Sequence, residues 1–346
     1  MHKAEHLYRL ARIFWAYRQK HTKNIPRPVR LWIEPTPFCN LKCPMCPQSD
    51  SKIDEVVKGK TYMDFDLYKK IIDEAAEHVY DINLAHRGES TFHKQLPEMI
   101  RYASQKGIRT RLHTNATILN EKMSRALIDS GLDLMSFSFD GFQKEPYERI
   151  RVRANFETTL ANIVQFLRLK KEQKSKKPYT VLQVIELNGN TEGKEEFVHE
   201  FDDLPLDSLY IKKPHNWGGI IAGNPLIDQY CHRESYSHCS FLWYSLTILW
   251  DGHVTPCPQD FFMELVLGDL RTQTIRDVWN GSPLVNLRDS LARQDWQKIH
   301  PCNTCDRLWR KQVAGVPKIN LRTFVSENLI GYNFINRLVR TRYEED

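Results

Sequence analysis

The sequence predicts an α/β fold, a partial, TIM-like (β/α)6 barrel followed by a small cysteine-bearing module at its C-terminal side. Two observations predict it. From Leu31 to about Lys213, short β-branched or apolar runs alternate with amphipathic segments, the pattern of βα units and a parallel sheet. After Lys213 that rhythm stops, and five of the eight cysteines follow.

Residues 1–28 read as an amphipathic helical segment with Leu7, Leu10, Phe14 and Tyr17 on one face. That face is expected to dock on the barrel; the alternative for so basic a helix is a membrane surface. The barrel, 29–213, takes its strands from LWIEPT (31–36), DINLAH (81–86), IRTRLHT (108–114), DLMSFSFD (133–140), YTVLQVIEL (179–187) and DSLYIKK (207–213). Helical patterns cover 65–77, 95–106, 120–129, 155–173 and 192–202. Six such units make three-quarters of the eight-stranded closed barrel. The module, 214–323, opens with the turn-rich PHNWGG and AGNP and carries a hairpin signal at LTILWDGHVTPC. It reads as appended to the barrel, with a helix over 324–346 closing the chain.

Bulk properties exclude several classes. Of 346 residues, 41% are hydrophobic and 27% charged, which is ordinary for a globular chain and argues against wholesale disorder. No apolar run approaches the ~20 residues of a membrane span. Arg9, Arg12 and Arg18 interrupt any signal-peptide core, so a cytoplasmic protein is expected. The net charge of +6 is spread along the chain. Its densest run, Lys170–Lys177, reads as a solvated helix end rather than a nucleic-acid stripe. No nucleic-acid partner is expected.

Cytosolic thiols are kept reduced, so these cysteines are not disulfides. Cys39, Cys43 and Cys46 lie within eight residues directly after the first strand. Three thiolates leave a four-iron cube with one open iron, available to a small chelating molecule. Pro44 and Pro47 make the segment a loop. A zinc knuckle would need a further ligand, and the loop has no histidine. Cys239, Cys257, Cys302 and Cys305 are a complete set for zinc or for a fully ligated cluster, and spacing does not separate these. Cys231 is left over.

The loop TPFCNLKCPMCPQ resembles the signature of the radical S-adenosylmethionine superfamily, Cys-x3-Cys-x2-Cys. The resemblance implies a 4Fe–4S cluster on Cys39, Cys43 and Cys46 whose open iron binds S-adenosylmethionine, and a 5′-deoxyadenosyl radical that abstracts a substrate hydrogen. Other strand ends carry shorter likenesses. HRGES (86–90) is similar to Gly-Gly-Glu-Pro, with Gly88 and Glu89 matching and Ser90 in the proline's place. HTNAT (113–117) resembles Thr-Asn-Gly, with Ala116 for the glycine, and FSFDG with YERIR resembles the region that places Ser138 and Arg151. Gly88, Glu89, Ser90, Asn115, Ser138, Arg151 and Met45 are the implied cofactor contacts.

The distal cysteines resemble SPASM modules and their shortened, twitch-type form, implying one auxiliary 4Fe–4S cluster on Cys239, Cys257, Cys302 and Cys305. Their order and spacing are similar to those of dehydrogenases that oxidise 2-deoxy-scyllo-inosamine. A fully ligated cluster moves electrons rather than binding substrate, so the expected reaction is oxidation of a hydroxyl on a sugar- or aminocyclitol-like small molecule. This oxidation needs a general base. Lys212, Lys213 and His215, at the junction of barrel and module, are the leading candidates, with His86 and His113 behind them. Because Lys212 and Lys213 alternate, one of them faces inward. The chemistry implies reduced flavodoxin or ferredoxin as electron donor. The competing readings are an epimerase using Cys231, a peptide maturase and a zinc-stabilised binding protein. A leader-binding domain is not expected in the short stretch before the first strand.

Overall fold

The computed structural model describes residues 3–57, 61–187, 189–229, 235–313, 316–318 and 341–343. Six parallel strands form the barrel wall: β1 (Arg30–Ile33), β2 (Asp81–Leu84), β3 (Arg109–Thr114), β4 (Leu134–Ser138), β5 (Tyr179–Ile185) and β6 (Ser208–Lys212). Helices α1 (Lys3–Arg18), α2 (Ile53–Val56), α3 (Phe65–Ala75), α4 (Leu96–Gln105), α5 (Glu121–Ile128), α6 (Lys144–Ile150), α7 (Phe156–Glu172) and α8 (Lys194–His199) precede or join them. Each predicted strand is present, trimmed by a few residues. Of the helices, α2 and α6 carry too short a pattern to be read from sequence.

Period-two alternation sorts each strand. Leu31, Ile33, Ile82, Leu84, Leu112, Phe137, Leu182 and Ile211 are buried in the core. Each fully buried aliphatic or aromatic side chain contributes about 1.5–3 kcal/mol. Tyr68, Ile71, Ile72 and Ala75 meet that core from α3 at helical spacing. Asp64, Asn120 and Asn155 start α3, α5 and α7 by accepting backbone N–H groups. The opposite row, with Trp32, His113, Ser138, Gln183, Tyr210 and Lys212 only half-buried, lines the lumen. Across its floor, Arg30 and Arg111 both bind Asp81, at 2.6 and 2.8 Å.

Four sequence expectations need correction. The module is not merely appended. Its hairpin, β7 (Ser245–Ile248) and β8 (His253–Thr255), continues the barrel sheet, because β7 pairs in parallel with β1 and β9 (Gly268–Asp269) extends it. Gly252, at φ +92°, makes the predicted turn. The first helix ends at Arg18, since Lys20 and Asn24 take left-handed conformations and Pro26 and Pro28 follow. Its buried residues are His6, Ile13, Ala16 and Tyr17, and Phe14 faces out.

Lys170, read as solvated, is buried and pairs with Asp207 at 2.8 Å. The expected C-terminal helix over 324–346 lies mostly outside the described residues. Within it, β12 (Thr341–Tyr343) is strand, pairing in parallel with β6, whose open edge suits a β-branched and aromatic segment. Before the hairpin come α9 (Pro225–Asp228) and α10 (Phe241–Tyr244); between it and β12 come α11 (Ile275–Asn280), α12 (Ser282–Ala292) and a small pair, β10 (Gln312–Val313) with β11 (Val316–Pro317).

Candidate functional site

The loop after β1 holds Cys39, Cys43 and Cys46 at the C-terminal ends of the strands, where barrel sites form. Gln48 pins it, donating to the carbonyls of Pro37 at 2.7 Å and Arg87 at 2.9 Å. Burial pushes the Cys39 and Cys46 thiols up to about 12 and raises Cys43 as well. Cys43 sits in a small buried cluster with Leu41 and Met45, and Cys39 and Cys46 pack against it. An iron cluster supplies the positive charge that lets such buried thiolates form.

The strand-end motifs assemble around this loop. A Cβ on Gly88 would stand 2.2 Å from the Thr36 carbonyl oxygen and 2.5 Å from that of Phe38. Glycine is therefore needed for the end of β2 to lie flat on the cysteine loop, and Glu89 N–H donates to Phe38 O at 2.8 Å. The Glu89 carboxylate goes first to the chain itself. It accepts from the Thr91 and Thr114 hydroxyls at 2.6 and 2.8 Å and from Asn115 N–H at 2.7 Å. These bonds join the ends of β2 and β3 and fix the carboxylate beside the cysteine loop.

Ser90, in place of proline, donates to Leu84 O at 2.9 Å. Asn115 Nδ2 lies 3.9 Å from Cys39 Sγ, and its Oδ1 accepts from the Thr117 hydroxyl at 2.7 Å. Ala116 sits at φ +58°, a left-handed conformation that explains why glycine suits that motif position. Ser138 ends β4 in the lumen row. Arg151 reaches Cys43 Sγ at 4.0 Å and Asp140 at 2.5 Å. Burial would lower its pKa, but Asp140 and the Cys43 charge hold it above the usual guanidinium range. Met45 is buried, and its carbonyl accepts the Trp217 indole N–H at 3.1 Å.

Three residues were missed from sequence. Glu34, just past β1, is fully buried and takes a two-point contact from Arg87 at 2.7 Å, with His86 at 3.1 Å. Burial would raise its carboxyl, yet Arg87 and then His86 hold it well below the carboxylate range. Asp140 is the second, accepting Ile185 N–H at 2.6 Å. Trp217 is the third, reaching from the segment after β6 to the cysteine loop. Its left-handed φ of +51° had no sequence signal. An acid one residue beyond a strand and an acid in Ser-x-Asp-Gly were visible signals.

Cys239, Cys257, Cys302 and Cys305 line one small enclosed cavity whose walls include Phe241, Leu242, Pro256 and Leu308. Burial pushes Cys239, Cys257 and Cys305 up to about 12 and Cys302 well up. Four thiols around an apolar cavity fit a thiolate-held cluster. The loop beyond β6 packs on the same wall. Asn216 donates to Thr304 O at 2.8 Å, and Thr304 Oγ1 donates to Gly218 O at 2.5 Å. Cys231 lies outside the described residues.

The candidate bases separate. His86 uses both nitrogens, on Glu34 and on Pro258 O, at 3.1 Å each, and joins barrel to module. Burial, with Lys212 and Arg111 nearby, lowers His113 to about 3, so it is neutral. His215 is likewise held well below the imidazole range by burial and by Arg307, Arg310 and Lys212. Lys212 ends β6 in the lumen row, its Nζ 5.6 Å from the Tyr210 ring centroid. Lys213 follows the strand and is half-buried.

Comparison with known proteins agrees with this architecture. Residues 33–211 match the Radical SAM superfamily, and residues 239–306 match the SPASM iron–sulfur cluster-binding domain. The chain is 23% identical over 289 residues to the tungsten-containing aldehyde ferredoxin oxidoreductase cofactor-modifying protein of Pyrococcus furiosus, covering 72% of this chain and 80% of that one. Among solved structures it is similar to BtrN in complex with AdoMet and 2-DOIA, with TM-score 0.56, 20% identity and coverage of 80% of this chain and 92% of that one. It is also similar to SuiB from Streptococcus suis bound to the precursor peptide SuiA, with TM-score 0.62, 15% identity and coverage of 91% and 77%. Such likenesses establish the fold. No described helix is long and apolar enough to cross a membrane. The Radical SAM domain binds S-adenosylmethionine and a 4Fe–4S cluster, and the SPASM domain binds auxiliary iron–sulfur: the chain belongs to the Radical SAM superfamily.

Proposed function

We propose that this protein is a radical dehydrogenase that oxidises a hydroxyl of a sugar- or aminocyclitol-like metabolite to a ketone. The observation that carries the reading is the closed four-thiol cavity of Cys239, Cys257, Cys302 and Cys305. Four protein thiolates leave a cubane no open iron, which suits it to electron transfer rather than substrate binding. When bound, S-adenosylmethionine on the triad's cluster supplies a 5′-deoxyadenosyl radical, and the auxiliary cluster supplies an electron acceptor. Reduced flavodoxin or ferredoxin provides the initiating electron.

The protein's own part is to orient the substrate and to move a proton. Gly88, Glu89, Ser90 and Asn115 shape the cofactor floor, while Ser138, Arg151 and Met45 flank it. Half-buried polar groups of the lumen, Gln183, Tyr210 and Lys212, offer donors and acceptors for a polyhydroxylated ring. Lys212 takes the hydroxyl proton. Losing a hydrogen atom from the carbinol carbon makes that proton acidic, and removing it commits the substrate to the ketone. Lys213 and His215 frame this group and are the next candidates. The complex of BtrN with 2-DOIA supports an aminocyclitol-like probe.

The experiment is turnover of 2-deoxy-scyllo-inosamine and related polyols by reconstituted enzyme, counting 5′-deoxyadenosine against ketone. One ketone per deoxyadenosine supports the reading. Cofactor cleavage that yields an epimer, or that is stimulated only by a peptide, replaces it with epimerisation or peptide modification.

A further inference from the structure

Helix α1 is bolted to the auxiliary module by one face and presents a different character on the other. Inward, the Tyr17 hydroxyl donates to His238 O at 3.0 Å, and its ring stacks on His238 at 4.0 Å. Outward stand Tyr8, Phe14 and Trp15, at 63%, 46% and 61% exposure. They are three of the four strongly exposed aromatic side chains among the described residues. Single exposed apolar residues need no explanation; three on sixteen residues do.

Their neighbours are cationic. Between Ala4 and Arg27 the sequence has six arginines and lysines and one carboxylate, Glu5, which Arg9 engages at 2.8 Å. Arg12, Arg18, Lys20 and Lys23 are exposed. Tyr8, Arg12 and Trp15 follow one another at helical spacing, with the Arg12 guanidinium 5.8 Å from the Tyr8 ring centroid. Beside them, Lys23, Ile25 and Pro26 complete a shallow groove.

We infer that the outer face of α1, with the segment through Lys23, is a docking surface for an anionic lipid membrane, holding the enzyme peripherally at the headgroup level. Charge complementarity and ring chemistry select this occupant. Tyrosine and tryptophan favour the membrane–water interface because each ring has an apolar body and a polar tip. Tyr8 and Trp15 border the shallow groove yet stay largely exposed, which leaves their rings accessible to a headgroup layer. The flanking cations carry one sign and would each meet an anionic headgroup. The inner face of α1 stays packed, so binding requires no unfolding.

The test uses the reconstituted full-length chain, sedimented with vesicles of phosphatidylcholine alone or mixed with phosphatidylglycerol. Binding to the mixed vesicles, weakened by added salt and near background on phosphatidylcholine alone, is expected. Tyr8→Ser with Trp15→Ser, and separately Arg12→Glu with Lys20→Glu and Lys23→Glu, should each lower the partition coefficient about tenfold or more. Iron content and cofactor cleavage in solution should stay at wild-type levels, which separates lost docking from lost folding. Equal binding to both vesicle types, no binding to either, or wild-type binding by both variants would overturn the inference. So would saturable capture of an acidic ferredoxin by this face without vesicle binding, which would make it a protein-docking surface.

Discussion

The Trp217 indole N–H donates to the carbonyl of Met45 at 3.1 Å, joining the triad loop to the segment that packs against Cys302–Cys305. Trp217 also meets His215 and Phe261 edge-on, with ring centroids 4.5 and 5.6 Å apart. One side chain thus touches the cysteine loop, the segment after β6 and the distal module. Trp217→Phe keeps a ring but loses the donor. A loss of about 1 kcal/mol in stability is expected, together with more 5′-deoxyadenosine per product. A product ratio equal to wild type would show that the tie does not position the two sites.

Gly88 tests how the triad is held. Gly88→Ala would drive a methyl group into the Thr36 and Phe38 carbonyls, and backbone there has no room to give. Iron analysis should show loss of the triad's share while the auxiliary share remains. Full iron content in the alanine variant would mean that the loop can move aside.

Arg151 and Asp140 form a buried pair. Removing one partner leaves an uncompensated buried charge, at a cost of about 3–5 kcal/mol. Asp140→Asn should therefore lower the denaturation midpoint strongly and weaken cofactor binding. Calorimetry beside S-adenosylmethionine titration checks both; an unchanged midpoint would place the pair near the surface in solution.

Lys212→Met is expected to keep 5′-deoxyadenosine formation and to lose ketone by roughly 10²-fold or more. Lys213→Met should be milder. If the two effects exchange, the inward lysine is Lys213.

His78 supplies a pH dependence of stability. Burial, then Arg27 and Arg9, lowers it to about 3, and neither ring nitrogen has a hydrogen-bond partner. Above its unfolded pKa near 6.5, both states are neutral and no penalty exists. As pH falls below that value, the unfolded state takes a proton that the folded state refuses. Stability should therefore drop by up to about 1.4 kcal/mol per pH unit until the folded pKa near 3 is reached. Urea titrations across that range should show a shallower slope in His78→Leu.

Much of this was legible in the sequence because local rules agree with the fold. Six strands and five helices could be read from periods of 2 and 3.6, and the two groupings of cysteines from spacing. Contacts with long sequence separation were not legible. Nothing local announces that β7 will lie beside β1, that Lys170 will be drawn inside by Asp207, or that Trp217 will reach Met45. Glu89 shows a subtler gap: its motif was readable, but its bonds to Thr91, Thr114 and Asn115 were not. Helix α1 kept its amphipathic signal, yet Phe14 went outward because Ile13, Ala16 and Tyr17 fill the inner face.

Iron and acid-labile sulfide in anaerobically reconstituted protein report whether the chain holds two independent iron–sulfur sites. Wild type should hold about eight irons, falling to about four when Cys39, Cys43 and Cys46 are all changed to alanine. About four irons falling to none, with zinc in the distal set, would contradict the account and leave the proposed oxidation without its electron acceptor.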